Sequence, residues 1–539
     1  MALGDPHTTG QGSGRPNIVV ILADDMGYSD IGCFGSEIRT PNLDAMASRG
    51  AVFTQMYNCA RCCPTRASLL TGLYPHQAGV GHMVSNLGDR AYQGYLRDDC
   101  ATIAEALRAG GYRTLMSGKW HVGGHYQPNK PEDWRIGGPE HPTPIQRGFD
   151  EHFGTVAGGG SYYKTPTLAR NDKLIPPQEG FYYTDAISDE ACGMIRRAVT
   201  DGMPFFCYVA YTAPHWPLHA PPEDIAHYEG KYRGGWDALR TARHEQLKSL
   251  GRLESRWPIS ARDAQAPPWT DLPAARRDWE DLRMAVYAAQ VDRMDQGIGR
   301  IRNTLRELGV EDNTLVMFLS DNGGCAEFLA EDSGDRGFPS RYQIPTVDGR
   351  PIRIGNIPGL RPGPADTFMS YDLPWANASN TPFRLYKHWV HEGGISTPLL
   401  VDWPRGIARP TVCHSPAHVI DILPTCLAAA GVPCLESRGD MPVQRPEGES
   451  FLPAIDGQPW NRQREIFWEH EGNRAVRQGS WKLASKHPGE WELYDMNADR
   501  TELNDLAGGN PAKARELAGL YDLWAQRCGV IPWQRLKSR

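Results

Sequence analysis

From residue 17 onward, short apolar runs that close on polar or charged residues alternate with stretches of helical periodicity. No other feature constrains the fold as much. A short apolar run bounded by turn residues is a strand covered on both faces, and such strands separated by helices join into a mostly parallel sheet sandwiched by helices. Residues 18–23 predict the first buried strand. Asn42 is placed to cap a helix carrying Leu43 and Met46, Gly50 ends it, and an extended run begins at residues 51–53. Ile103 and Leu107 share a helix face, Gly110 and Gly111 stop it, and residues 112–116 follow as a strand. Residues 205–211 form another apolar run. The clearest helix passes through Met284, Tyr287, Val291, Met294, Ile298, Ile301, Leu305 and Leu308, ends at Gly309, and feeds a buried strand at 314–320.

A chain of 539 residues is too long for one small core, so a large α/β domain with a smaller companion is expected. The large domain is placed at residues 16–460. Within it, residues 221–283 read as a charged, Trp-containing, partly helical insertion over the sheet, and residues 334–378 as a long Pro- and Gly-rich loop. A strand at 398–401 and a helix at 419–430 close it. Residues 461–539 then change character: 465–468, 475–484 and 491–494 alternate apolar and polar positions, which suits a small antiparallel sheet, and 512–524 supply its covering helix. Residues 1–15 read as a flexible leader without the charged start and apolar stretch of a secretory signal.

The net charge of -7 carries no basic footprint for nucleic acid, and no apolar run approaches the length of a membrane span. Twelve cysteines, largely without paired spacing, suit reduced thiols better than a disulfide framework. A cytoplasmic location, with neither nucleic acid nor membrane as partner, is the corresponding expectation.

The chemistry-bearing residues sit mostly at predicted strand ends, where open α/β sheets place their ligands. Asp24 and Asp25 follow the first strand; alone, such a pair is more often a turn or a helix cap. Asp321 and Asn322 follow the strand at 314–320, and alone Asn322-Gly323 would be a turn. Together the two pairs offer four hard oxygen donors, as calcium prefers. Lys119 and His121 follow the strand at 112–116, His215 follows the run at 205–211, and Lys387 lies upstream of Glu392-Gly393-Gly394. Cys62 precedes Pro64, which is placed to start a helix running to Gly72, so its side chain would meet free backbone N–H groups at a helix N-terminus, with Arg66 close by. A buried thiol, a disulfide, or a zinc site using Cys59, Cys62 and Cys63 are the alternatives at that point.

The segment Cys62-Cys63-Pro64-Thr65-Arg66-Ala67-Ser68-Leu69-Leu70-Thr71-Gly72 resembles the sulfatase signature, C-x-P-[ST]-R followed by a spacer, an apolar residue and T-G. The Asp24-Asp25, Gly118-Lys119-Trp120-His121, Pro214-His215, Asp321-Asn322-Gly323-Gly324 and Lys387 segments follow the family's order over about residues 16 to 530. The chain looks like a bacterial arylsulfatase of the cytosolic kind, with the fold of the alkaline phosphatase superfamily. The resemblance implies that a separate maturation enzyme oxidises Cys62 to formylglycine, held by Arg66, and that Asp24, Asp25, Asp321 and Asn322 bind one calcium ion. Lys119, Lys387 and His215 would grip the sulfate of a small-molecule ester, His215 or Lys387 would assist the leaving alcohol, and His121 would be the base that reopens the intermediate. A phosphodiesterase or phosphonate monoester hydrolase on the same scaffold is the nearest alternative. A protein that only binds sulfated ligands would require Cys62 to stay a thiol.

Overall fold

A computed structural model describes residues 14–177, 179–331 and 341–538. The predicted leader lies almost wholly outside the described residues, as do residues 334–340 of the long loop.

Apolar runs become the strands of an eleven-stranded sheet. They are β1 (Asn17–Asp24), β2 (Ala51–Tyr57), β3 (Arg113–Gly118), β4 (Glu151–Thr155), β5 (Leu168–Arg170), β6 (Lys173–Leu174), β7 (Phe205–Pro214) and β8 (Thr314–Ser320), with Ser396–Asp402, Thr411–Cys413 and Ala417–His418. From one edge the order is Thr411–Cys413, β2, Ser396–Asp402, β8, β1, β7, β3, β4, β5, β6, and Ala417–His418 also pairs with β2. The centre, β8-β1-β7-β3-β4, is parallel, whereas Ser396–Asp402 runs antiparallel to both of its neighbours. Side chains of β1 alternate between two cores: Ile18, Val20 and Leu22 enter one, and Val19, Ile21 and Ala23 the other. Two-sided burial is why these strands read as continuous apolar runs.

The helices on the two faces are α1 (Pro41–Arg49), α2 (Cys62–Thr71), α3 (Ile103–Ala109), α4 (Tyr183–Thr200) and the long helix Ala274–Glu307. The long helix starts inside the segment read as an insertion, whose other helices are Pro222–Ala226, Gly235–Ser249 and the short 3-10 turn Trp269–Asp271. Asn42 does not cap α1. Pro41 opens the helix, and the Asp295 carboxylate accepts from the N–H groups of Asn42 and Leu43 at 3.1 and 2.8 Å, so the cap comes from the long helix. Part of the long loop is structured by the helix Asp372–Ser379 and the short strands Arg353–Ile354 and Thr367–Phe368.

A four-stranded antiparallel sheet follows: Ile466–His470, Asn473–Gln478, Trp481–Ser485 and Glu492–Asp495. Residues 475–484, read as one extended run, are two strands because Gly479 turns with φ 58°. The helix Pro511–Cys528 covers this sheet through Leu517, Tyr521 and Trp524, which pack on Val476, Leu483 and Leu493 together with Tyr74 and Ile420 of the large domain. Between the two parts, Lys482 Nζ lies 2.9 Å from Glu392 Oε1 and 2.7 Å from Glu502 Oε1, all fully buried.

Candidate active site

β1 and β8 are adjacent, parallel and in register up to Ala23 opposite Ser320, so the two acidic pairs leave the sheet side by side. Asp25 turns at φ 66° and its N–H donates to Asp321 Oδ1 at 3.2 Å, while Asn322 Nδ2 donates to Asp25 Oδ1 at 2.7 Å. Two buried oxygens in this cluster, Asp24 Oδ1 and Asn322 Oδ1, have no hydrogen-bond partner among the described residues.

Three cations face the three carboxylates. Lys119 Nζ is 2.6 Å from Asp24 Oδ2, Arg66 NH2 is 2.7 Å from Asp321 Oδ2, and Lys387 Nζ is 2.9 Å from Asp25 Oδ2. Burial alone would raise the Asp24 carboxyl, but Lys119, His215 and Arg66 outweigh it and bring it to about 2. Asp321 goes the other way: burial and the neighbouring Asp24 push it well above the usual carboxylate range, against the pull of Arg66. Burial also works against the Lys387 charge, yet Asp25, Cys325 and Glu327 hold its ammonium well above the ordinary range.

Cys62 is the first residue of α2, two residues earlier than Pro64 suggested, and Gly72 ends the helix in the left-handed conformation. The helix is buried along its whole length. A hydrogen bond from Cys63, then Lys119, His121 and Lys387, pull the Cys62 thiol well below its usual range although burial opposes them. Cys59 does not join it in a zinc-like group; its sulfur is 3.8 Å from His418 Nε2. Instead, ligand atoms of Cys62, Cys63 and His121 approach within 4.8 Å of one another. Arg66 directs its hydrogen bonds to Asp321 and, at 3.1 Å, to the Lys119 carbonyl.

Lys119 and His121 continue from β3, the Lys119 N–H bonding the Ala210 carbonyl of β7 at 2.8 Å. His121 has φ 55°, and burial together with Lys119 lowers its pKa to about 4, so it is neutral near pH 7. His215 Nδ1 lies 2.6 Å from the Trp216 carbonyl oxygen, and its Nε2 is 3.3 Å from Lys387 Nζ. Lys387 is drawn in from far along the chain. Its N–H bonds Gly324 O at 3.1 Å, and Gly323 lies so close to the next loop that a Cβ there would be 1.8 Å from Gly393 O.

Cys62, His121, His215 and Lys387 line a cavity of about 250 Å³ that also takes in Arg61, Trp216 and Glu327. Arg61 and Glu327 were not singled out from the sequence. They pair at 2.9 Å, and Trp216 Nε1 donates to the other Glu327 oxygen at 2.9 Å. Arg61 adjoins Cys62 and Glu327 follows Asn322 closely, which was the one sequence signal available. Trp216 lines the cavity, whereas the Tyr162 hydroxyl is spent on the Thr212 and His215 carbonyls and that of Tyr163 on Ala220 O.

A mixed α/β sheet of this order, with ligand-bearing strand ends and a smaller antiparallel sheet, is the alkaline phosphatase-like fold. The solved structure of Ps i-CgsB in complex with k-i-k-neocarrahexaose superposes with a TM-score of 0.65 at 25% identity, covering 95% of this chain and 93% of that one. A family model described as Sulfatase matches residues 16–432, and one described as N-sulphoglucosamine sulphohydrolase, C-terminal, matches residues 383–518. An uncharacterized sulfatase of Schizosaccharomyces pombe is 33% identical over 96% of this chain and 95% of its own length. An arylsulfatase of Klebsiella aerogenes is also 33% identical, over 84% of this chain and 94% of its own. The chain belongs to the sulfatase family, whose reaction is the hydrolysis of sulfuric esters.

Proposed function

We propose that this chain hydrolyses sulfate monoesters of aryl or alkyl alcohols, using Cys62 oxidised to formylglycine by a separate maturation enzyme, and one calcium ion. The observation that carries the reading is the pair of buried, unpartnered oxygens, Asp24 Oδ1 and Asn322 Oδ1, among the carboxylates of Asp25 and Asp321. Polar atoms left bare in a buried site signal a missing partner. An all-oxygen set with three carboxylates fits a hard cation such as calcium and does not suit zinc, which favours nitrogen and sulfur. Asp24, Asp25, Asp321 and Asn322 would hold that ion. When bound, the calcium supplies charge against the sulfate oxygens, and the formylglycine hydrate supplies paired hydroxyls, so that the enzyme is not left carrying an ester as stable as its substrate.

The remaining work falls to the chain's own side chains. Lys119 and Lys387, buried beside the carboxylates of Asp24 and Asp25, are positioned to hold sulfate oxygens. The proton of the attacking hydroxyl passes to a carboxylate such as that of Asp321. His215 Nε2, beside Lys387 Nζ, gives a proton to the departing alcohol oxygen. His121 stays neutral and so can accept the second hydroxyl proton when sulfate is released.

Two measurements test this. Peptide mass analysis of protein made in a maturation-competent host should find an aldehyde at residue 62; a thiol in fully active enzyme would overturn the nucleophile. Matched aryl sulfate and aryl phosphate diester substrates should show sulfate turned over faster, and faster diester cleavage would reassign the substrate class.

A further inference from the structure

A second group of metal-ligating side chains lies outside the catalytic cluster, where the large domain meets the C-terminal sheet. It comprises His388, next to Lys387; His470, which ends the strand Ile466–His470; Glu471 in the turn that follows; and His82, which lines the catalytic cavity. Ligand atoms of His388, His470 and Glu471 lie within 4.8 Å of one another. Glu471 is the hub: its Oε1 is 2.7 Å from His82 Nε2 and 3.9 Å from His470 Nε2, and its Oε2 is 3.4 Å from His388 Nδ1.

His470 is fully buried, yet among the described residues neither of its ring nitrogens has a hydrogen-bond partner, and His82 Nδ1 is also unpartnered. A buried imidazole with both nitrogens bare carries a desolvation cost that nothing in the protein offsets. Burial holds its pKa well below the usual histidine range, leaving the neutral ring that a metal requires. The ring centres of His470 and His82 are 5.7 Å apart, and those of His470 and His388 are 5.5 Å apart. Imidazoles sharing one four-coordinate zinc, with Zn–N of about 2.0–2.1 Å, set their ring centres about 5 Å apart and neighbouring ligand atoms about 3.3 Å apart. The nearby positive charge of Arg61 is matched by Glu327 at 2.9 Å. His388, Glu471 and His82 are 27%, 26% and 17% exposed, which leaves the metal a path from solvent.

We infer that His388, His470 and Glu471 form a second metal site, for a divalent transition-metal ion of the zinc type, with His82 bonded to Glu471 beside it. Two imidazoles and one carboxylate, with water as the fourth ligand, suit zinc, cobalt or nickel and not calcium. Bound there, the ion would tie the loop that delivers Lys387 to the first hairpin of the C-terminal sheet, and the contact between Glu471 and His82 would extend that tie to the cavity wall. The site is independent of the proposed chemistry at Cys62.

The test uses the full chain, stripped of transition metals and kept saturated with calcium, and titrates it with Zn2+ or Co2+ alone. Wild-type protein should bind one equivalent of Zn2+ and gain thermal stability. Its Co2+ form should show the strong visible bands of a four-coordinate nitrogen and oxygen site without thiolate charge transfer. His388→Gln, at a partly exposed position, and His470→Gln should each weaken Zn2+ binding roughly 100-fold and abolish those bands. No bound equivalent in wild type, a thiolate charge-transfer band pointing to Cys62 and Cys63, or unchanged affinity in His388→Gln would overturn the assignment. The wild-type spectrum decides even if His470→Gln does not fold.

Discussion

Replacing Arg66 with alanine tests the electrostatic construction of the catalytic site. Its guanidinium is fully buried, 2.7 Å from Asp321 Oδ2, 3.6 Å from Asp24 Oδ2 and 3.1 Å from the Lys119 carbonyl. Without it Asp24 keeps Lys119, but Asp321 keeps only the Asp25 N–H at 3.2 Å. Removing one partner of a buried ion pair costs about 3–5 kcal/mol, because the other charge is left uncompensated. Protonation of Asp321 limits that loss. Its carboxyl is already raised by burial and by Asp24 against the pull of Arg66, so without Arg66 it rises further. The sign of the pH dependence follows: an acid whose folded pKa lies above its unfolded value binds more protons when folded, so stability falls as pH rises toward the folded pKa. Urea unfolding of calcium-free protein at pH 6 and pH 8 should therefore show Arg66→Ala destabilised by about 3–5 kcal/mol, with the larger deficit at pH 8. A loss under about 1 kcal/mol, or a smaller deficit at pH 8, would refute this account of how the buried charges are balanced.

The pH dependence of His121 runs the opposite way, since burial and Lys119 lower it to about 4. The unfolded state then binds the extra proton below pH 6.5. Wild type should lose about 2 kcal/mol more than His121→Gln between pH 7 and pH 5, and equal losses in the two unfolding series would contradict the assigned shift. Gly158→Ala would put a Cβ 2.3 Å from His121 Nε2, forcing the ring aside; turnover should drop roughly 100-fold with an unchanged circular dichroism spectrum, and wild-type turnover would remove His121 from the reaction. Chelation should lower the Tm and calcium at about 100 times its Kd should restore about 2.7 kcal/mol, an effect that Asn322→Leu should abolish; full restoration in that variant would place the ion elsewhere.

The buried runs are legible because a strand covered on both faces must be apolar throughout, and the point where polarity returns marks its end. Asp24 at the end of β1, Asp321 after β8 and Lys119 after β3 follow from that rule. Tyr162 lies near a site segment yet braces the backbone at Thr212 and His215, and an aromatic residue reads the same in sequence whether it does that or walls a pocket. The cap of α1 was misread for a similar reason, since Asn42 is a good capping residue but Asp295 lies 253 positions away.

By itself the sequence determined the apolar periodicity, the strand ends, the signature beginning at Cys62 and hence the kinds of side chain available. Only the tertiary structure decided which strands are neighbours. Placing β8 beside β1 brings Asp321 to Asp25 across 296 residues, and the docking of the C-terminal hairpin gathers His470 and Glu471 with His82 and His388. Local sequence cannot encode such pairings, because the burial and charge balance that select them depend on groups that are remote in the chain and meet only when the sheet is assembled.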